Sequence, residues 1–464
     1  MKPIKLSLED MFNLPGAIIY NPDSYEPVSS VSIDSRSIRK FSLFIAIKGE
    51  KFDGHNFIKT AVKKGASAVM INKNYLKKIN DLNIPVITVP DTTKALGDVA
   101  RVWRLKLNAR VIGLTGSAGK TTTKEMISAL LSEKYKVNKT TANNNNHIGV
   151  PITILSSRAN HQVLVVECGT NHFGEIPYIS KILQPDYALI TNIGDSHLEY
   201  LKNRQGVLEE KSALFETAAK RKGKLFINTD DKLIFQFSKK FRNKIKYGFG
   251  SGNDVSGKII SYDAIGRAEV EIQSGTNRKK IKLKISHPGE AAAKNFLAAS
   301  AVGFEFGLKS NDIINASRKI KIADKRVVIK VFKTFTILDD TYNANPDSMR
   351  AAISILSMYK NRRRKIAVLG DMFELGNQSK RLHEELADFI ITQNVDEVFV
   401  IGKMMKHFTK KINEGKHLVK HFESKDLLKK HLKKLQLRGS VILVKGSRGM
   451  KMEEFVSVIE SRAK

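Results

Sequence analysis

The sequence has one cysteine and one tryptophan among 464 residues. Cys168 has no second cysteine to pair with, so an internal disulfide is excluded, which suits a reducing compartment. No apolar run approaches the ~20 residues that cross a bilayer. The start, Met1-Lys2-Pro3-Ile4-Lys5, carries no apolar stretch of the kind found in secretory signals. A cytoplasmic protein without stable membrane insertion is expected. Acidic residues are scarce, 46 against 79 basic ones, and the formal net charge is +33. Such an excess suits a polyanionic partner. The lysines are nevertheless spread along the chain, with no compact basic block interleaved with aromatics. The nearest is Asn361-Arg362-Arg363-Arg364-Lys365, which directly precedes an apolar run and reads as an exposed turn. Anionic small substrates are therefore expected and nucleic acid is not, with a nucleic-acid-stimulated ATPase left as the distant alternative.

Hydrophobic residues make up 42% and charged residues 27%, a globular balance. The length calls for two to four domains. Short apolar, β-rich runs alternate with helical patterns, the mark of α/β layers with parallel strands. Three domains are expected, at 1–88, 89–320 and 321–464. Within the second, 245–286 alternates more regularly (Ala268-Glu269-Val270-Glu271-Ile272) and suggests antiparallel strands. The third has strand-like runs at Thr336-Ile337-Leu338, Lys365 to Leu369, Glu397 to Ile401 and Val441 to Val444, separated by helical patterns, as in a small doubly wound fold.

The sharpest local signal is Val111-Ile112-Gly113-Leu114-Thr115-Gly116-Ser117-Ala118-Gly119-Lys120-Thr121-Thr122-Thr123. A strand-like run enters a glycine loop, and a helix follows with Met126, Ile127, Leu130 and Leu131 on one face. Such a loop turns backbone N–H groups onto phosphate oxygens at a helix N-terminus. Lys120 would reach the terminal phosphates and Thr121 would hold Mg²⁺. The strict pattern has a glycine five residues before Gly119, where Leu114 stands. The match is to the variant Thr-Gly-x-x-Gly-Lys-Thr.

Two further strand-like runs end in polar residues, at Glu167-Cys168-Gly169 and at Thr191-Asn192-Ile193-Gly194 with His197 beyond. In a parallel sheet these ends lie along one edge, beside the loop. Glu167 and His197 can then reach Mg²⁺ directly or through water. Each also has a plain reading, Glu167 as a capping or ion-paired acid and His197 as a satisfied structural histidine. Asn143-Asn144-Asn145-Asn146 forms either a solvated loop or a set of donors for a polar ligand. Three strand ends in the third domain carry dense polar loops: Asp339 to Met349, Gly370-Asp371-Met372, and Lys445-Gly446-Ser447-Arg448-Gly449. Each is explicable by turns and caps. Together they point to a site, with the last suited to a carboxylate or phosphate.

Over nearly its whole length the chain resembles the Mur ligase family. Four segments carry the likeness: Thr115 to Thr122, Asn145-Asn146-His147-Ile148-Gly149-Val150-Pro151, Asp340 to Met349, and Lys445 to Met450. The resemblance implies an α/β fold of three domains, with a central P-loop parallel-sheet ATPase-like domain and a C-terminal Rossmann-like domain. It implies an ATP-dependent ligase using Mg²⁺. The run Tyr342-Asn343-Ala344-Asn345-Pro346 and the segment Gly370 to Gly376 resemble the branch that adds D-alanyl-D-alanine to UDP-N-acetylmuramoyl-tripeptide (UDP-MurNAc-tripeptide) through an acyl-phosphate. A sister ligase adding another amino acid, or a folylpolyglutamate-type ligase, is the alternative. Gly116, Ser117, Ala118, Gly119, Lys120, Thr121 and Thr122, with Asn295 and Arg326, fall at the family's ATP contacts. Ser35, Arg36, Asp53, Gly54 and His55 fall in loops for the uridine nucleotide. Tyr342, Asn343, Asn345 and Ser348 are candidates on the dipeptide side. Lys211 falls where the family has a carbamylated lysine that joins Thr121, Glu167 and His197 around metal; read alone, it is a surface helix lysine. His383 and Asp347 are candidate bases for the incoming amine. Gly289-Glu290-Ala291-Ala292 departs from the family's usual Gly-x-His-Asn. A monomer is expected.

Overall fold

The computed structural model describes residues 4–79, 82–275, 277–320, 325–362, 364–412 and 418–463. The boundary expected at 321, Arg363 of the basic run and residues 1–3 lie outside them. The described chain forms three sheets, each built from one contiguous stretch of sequence.

The first sheet runs in the order Ile18–Tyr20, Val86–Val89, Ala66–Asn72, Ser42–Ile45, Ser30–Ser32. Val86–Val89 straddles the boundary expected at 88. The next helix, Thr92–Lys106, starts from Asp91, whose carboxylate accepts from the N–H groups of Thr93 (2.8 Å) and Lys94 (3.1 Å). It is tied to the second sheet's layer by Trp103 Nε1 donating to Ser157 O (2.9 Å) and Arg104 Nε donating to Leu183 O (2.9 Å).

The second sheet has nine strands, in the order Asn277–Pro288, Arg267–Ser274, Val255–Tyr262, Lys244–Gly248, Lys224–Asn228, Tyr187–Ile190, Arg110–Thr115, Val163–Glu167, Val137–Lys139. The last six are parallel to their neighbours, and the first three form an antiparallel extension; the alternation in 245–286 predicts this for 255–286, whereas Lys244–Gly248, at the start of that stretch, is parallel to both of its neighbours. The physical difference is plain in the residues. Val163–Glu167 is buried throughout because helices cover both faces, whereas Arg267–Ser274 alternates buried and open positions. The helix after the loop, Lys120–Leu131, packs against Glu290–Glu305, whose buried positions are rich in alanine and allow a close approach.

The third sheet runs Val328–Val331, Thr336–Asp340, Ser440–Lys445, Arg364–Gly370, Glu397–Ile401, Leu418–Phe422, with only the first pair antiparallel. Register aligns Asp340 with Lys445, and Gly370 with Ile401, so the three polar loops leave one edge of this sheet.

Candidate functional site

Register also fixes the centre of the site. Leu114 pairs with Glu167 and Thr115 with Ile190, so the strand ends of the second sheet deliver the loop, the acid and the 191–197 segment to one edge. Gly119 is left-handed (φ +77), and a Cβ there would lie 2.6 Å from Asn295 Oδ1. Asn295 therefore abuts the loop. The loop is braced from the neighbouring strand end. Asn192 accepts from Ser117 N–H through its carbonyl (3.0 Å) and from Ala118 N–H through Oδ1 (2.9 Å), and Thr191 Oγ1 donates to Ala118 O (2.6 Å). Two loop amides are thus spent on bracing. The N–H groups of Lys120, Thr121 and Thr122 open helix Lys120–Leu131 without an intrahelical acceptor, so they can meet an anion. Asn192 was not a predicted site residue. Its signal is a polar side chain directly after a buried strand.

Lys120 Nζ donates to Gly116 O at 2.6 Å. Desolvation pulls its amine below the usual lysine range, Glu167 opposes this, and Arg326 adds to it. Arg326 lies with its guanidinium 4.0 Å from the Tyr342 ring centroid. Lys120, Arg326 and Tyr342 are thereby brought into one neighbourhood across two sheets. Glu167 is buried and fully engaged: Oε2 accepts from Thr121 Oγ1 (2.8 Å) and Oε1 from Asn145 Nδ2 (3.0 Å). Lys124 Nζ stands 3.9 Å from Oε2 and donates to Thr140 O (2.7 Å). Lys124 was missed, although a lysine one helical turn after Lys120 faces the same side. The asparagine run is partly solvated, with Asn143 and Asn146 exposed, and partly committed to the fold. Asn145 holds Glu167, and Asn146 Oδ1 accepts from the N–H groups of Ile148 (3.1 Å) and Gly149 (2.8 Å) at the start of helix Gly149–Leu155.

Lys211 corrects the reading from sequence alone. It lies in helix Arg204–Lys220 with 0% exposure, and its Nζ has no hydrogen-bond partner. Burial first, then Lys120, pushes its amine well below the ordinary range. His197 Nδ1 lies 2.5 Å from Glu374 Oε2, on the third sheet's loop. Burial lowers the His197 pKa, Glu374 opposes this, and Lys211 and Lys120 add to it.

The third sheet's loops meet the phosphate loop directly. Asn345 Nδ2 donates to Ser117 O (3.2 Å), and Asp347 Oδ2 lies 1.8 Å from where a Cβ on Gly194 would stand. Asp347 is raised by burial, with Arg204 opposing and Asp195 reinforcing. Asn343 Oδ1 accepts from Arg448 N–H (3.1 Å), while buried Lys445 donates to Asp340 Oδ2 (2.6 Å) and Asn343 O (2.9 Å). Ser348 and Asn345 cap helix Pro346–Met358 reciprocally, at 2.8 and 3.0 Å, so the Ser348 side chain is committed to the helix. His383 is unsuited to the base role. It is buried, Nε2 accepts from Met372 N–H (3.1 Å), and Nδ1 donates to Ser379 O (2.7 Å).

In the first sheet's loops the expected residues are held by their own unit. The ring of His55 stacks on Tyr75 at 3.8 Å, Nε2 accepts from Asn72 N–H (3.0 Å), and Nδ1 donates to Asp53 (2.6 Å). Burial raises Asp53, but the Tyr75 and His55 hydrogen bonds prevail and hold it at about 2. Gly54 sits so close to Ile47 that a Cβ would come within 2.7 Å of its backbone nitrogen. Ser35 is buried, while Arg36 projects outward with a bidentate bond to Asp34, whose carboxyl it holds at about 2. No described hydrogen bond or ion pair links these residues to the phosphate loop.

Among the described residues no group of three or more His, Cys, Asp and Glu could hold a metal by itself. Thr121 and Glu167 supply the hard oxygens that Mg²⁺ takes when phosphate oxygens complete its shell, so this donor set fits that ion. The orphaned Lys211 amine fits a group awaiting a partner.

A phosphate loop on a central parallel sheet, roofed by the polar loops of a second parallel sheet, defines an ATP-dependent ligase of three α/β domains. The sequence matches the Mur ligase middle domain over residues 114–303, the Mur ligase glutamate ligase domain over 326–448, and the Mur ligase family catalytic domain over 27–104. It is 36% identical to the UDP-N-acetylmuramoyl-tripeptide–D-alanyl-D-alanine ligase of Bacillus subtilis, with 99% of each chain covered. Its structure is similar to that of MurF from Acinetobacter baumannii (TM-score 0.89, 29% identity, all of both chains). It is also similar to the MurF ligase of Thermotoga maritima in complex with ADP (TM-score 0.82, 28% identity, 94% and 97% of the chains). The chain belongs to the Mur ligase family.

Proposed function

We propose that this chain joins D-alanyl-D-alanine to UDP-MurNAc-tripeptide, using ATP, and so makes the UDP-MurNAc-pentapeptide precursor of peptidoglycan. The observation that carries the reading is the hydrogen bond from Asn345 Nδ2 to Ser117 O at 3.2 Å. It puts the loop for the incoming amine within one contact of the loop for phosphate. Full-length similarity to ligases of this name supports the same reading.

Lys120 and the first N–H groups of helix Lys120–Leu131 hold the ATP phosphates, and Asn295 and Arg326 flank the nucleotide. Ser35, Arg36, Asp53, Gly54 and His55 form or brace the uridine-nucleotide loops. Tyr342, Asn343 and Asn345 face the dipeptide, and Ser348 holds Asn345 in place. Thr121, Glu167, His197 and, once carbamylated, Lys211 would hold Mg²⁺, which when bound offsets the repulsion between carboxylate and triphosphate. A substrate carboxylate oxygen attacks the γ-phosphorus and ADP leaves with the bridging oxygen's electron pair. The dipeptide amine then attacks the acyl carbon, loses one proton, and phosphate leaves. Lys120 and the helix N–H groups are fixed in advance of the charge they stabilise. Docking of the third sheet over the loop excludes water from the acyl-phosphate. The protein works as a cytoplasmic monomer of three domains, 1–88, 89–320 and 321–464.

The test is phosphate release from ATP with UDP-MurNAc-tripeptide, with and without D-alanyl-D-alanine, and mass spectrometry of the product. Release that needs both substrates and yields the pentapeptide supports the reading. Release with a different amino acid in place of the dipeptide assigns a sister ligase instead. Lys120→Ala is expected to lower turnover by ~10²-fold or more, as loss of a main charge stabiliser does.

A further inference from the structure

The His197–Glu374 contact joins two sheets through two unusual backbones. His197 has φ +54 and Glu374 has φ +62. Left-handed backbone is uncommon outside glycine, and asparagine, aspartate and histidine adopt it more often than other side chains; where it is held in place it is often at functional positions. His197 and Glu374, two of the eleven non-glycine residues with positive φ among the described residues, are partners in one hydrogen bond of 2.5 Å. The junction is reinforced twice. Glu199 N–H donates to Glu374 O at 3.0 Å, and Gly376, itself at φ +53, packs so that a Cβ would lie 3.0 Å from Glu199 Cα.

The consequence falls on the imidazole. With Nδ1 held by a carboxylate, the proton sits on Nδ1 and Nε2 presents a lone pair. Nε2 has no hydrogen-bond partner among the described residues, and the nearby charges from its own domain are Lys120 and Lys211. A histidine prepared to bind a cation gives its other N–H to a carboxylate in this way, which fixes both tautomer and ring orientation. What differs here is the source of the carboxylate: it comes from another sheet.

We infer that Glu374 is a positioning residue that acts through His197. Docking of the third sheet sets the imidazole with Nε2 free, so the cation site beside Thr121 and Glu167 is complete only in the docked arrangement. The identity of the cation as Mg²⁺ rests on the proposed ligase function; the tautomer claim does not. Because coupling is reciprocal, cation binding favours docking as much as docking favours the cation.

The experiment compares wild type with Glu374→Ala and Glu374→Gln. Nitrogen-15 spectra of histidine-labelled protein, with the His197 signals assigned by their loss in His197→Gln, report the tautomer without any substrate. Wild type is expected to show Nδ1–H alone, and Glu374→Ala a mixture of tautomers. Calorimetric titration of Mg²⁺ with ADP, and the Mg²⁺ dependence of ligation, are expected to shift ~10-fold or more to higher Mg²⁺ in Glu374→Ala, the scale on which such supporting carboxylates act. Glu374→Gln keeps an acceptor and is expected to recover most of both. An unchanged His197 tautomer in Glu374→Ala overturns the inference, as does unchanged Mg²⁺ dependence. If the chain ligates a different acceptor, the function proposed above fails while the tautomer and calorimetry still decide this point.

Discussion

Replacing Lys211 by methionine is expected to make the protein more stable and inactive. The side chain is wholly buried in helix Arg204–Lys220 and its Nζ has no partner. Its neighbour in sequence cannot serve. Glu210 Oε1 accepts from Ile176 N–H (2.6 Å) and Thr170 Oγ1 (3.2 Å), and Oε2 accepts from Gly174 N–H (2.8 Å), so that carboxylate is committed to the turn before helix Glu175–Leu183. A buried donor left without an acceptor costs ~1–3 kcal/mol. Methionine has nearly the same length and no polar atom, so it fills the space without that cost. Lys211→Met should therefore gain ~1–3 kcal/mol in buffer freed of bicarbonate, or ~2–4 °C in melting temperature per kcal/mol for a unit of 150–250 residues. Urea and thermal unfolding measure the gain, and phosphate release measures the lost turnover. Bicarbonate should narrow the gap, because a carbamate gives the wild-type side chain oxygens for neighbouring donors. A variant no more stable than wild type without bicarbonate would refute the reasoning, since it would mean that the amine already has a satisfied partner.

Ser348→Ala is expected to cost ~1 kcal/mol in urea unfolding through the lost reciprocal cap; unchanged stability would mean that the cap contributes nothing. His287 gives a pH dependence. Burial lowers it from 6.5 to about 4, so between those values the unfolded chain takes up a proton that the folded chain refuses. Its stabilising effect is whole above pH 6.5 and falls away toward pH 4, by ~3 kcal/mol at ~1.4 kcal/mol per unit. His287→Phe is expected to flatten that part of the curve in urea unfolding measured from pH 7 to pH 4.

Contiguous features were legible in the sequence. A strand, a glycine loop and a helix in succession build the phosphate site from adjacent residues, so order alone carried the reading. The antiparallel extension was legible because one open face forces alternation, as in Arg267–Ser274. Strands of three residues, Ile18–Tyr20 and Ser30–Ser32, are too short for any period to show. Lys211 was misread because its helix is buried on several sides. Val207, Leu208, Glu210, Ser212, Leu214 and Phe215 are all buried, so no single apolar stripe marks the inner face. Partnerships across long separations were invisible as well. Asp53 with Tyr75 and His197 with Glu374 are set by folding, and nothing local in either sequence segment names the other member.

The same distinction resolves the charge. A surplus spread along the sequence has no direction, and most exposed lysines contribute little because water and salt screen them. Burial supplies the direction. At the phosphate loop Lys124 is withdrawn from solvent, Lys120 shares Glu167 with it, and Arg326 stands near Lys120. A charge in such surroundings acts far more strongly than one at the surface. The substrates of the proposed reaction bring a triphosphate and a carboxylate to this place, two anions that must approach until they react. Cations already held there by the fold reduce that repulsion without reorganising when the reaction occurs. Net charge pointed to an anionic ligand without giving it a location; the fold gathers cations at one place, through the few lysines it removes from water.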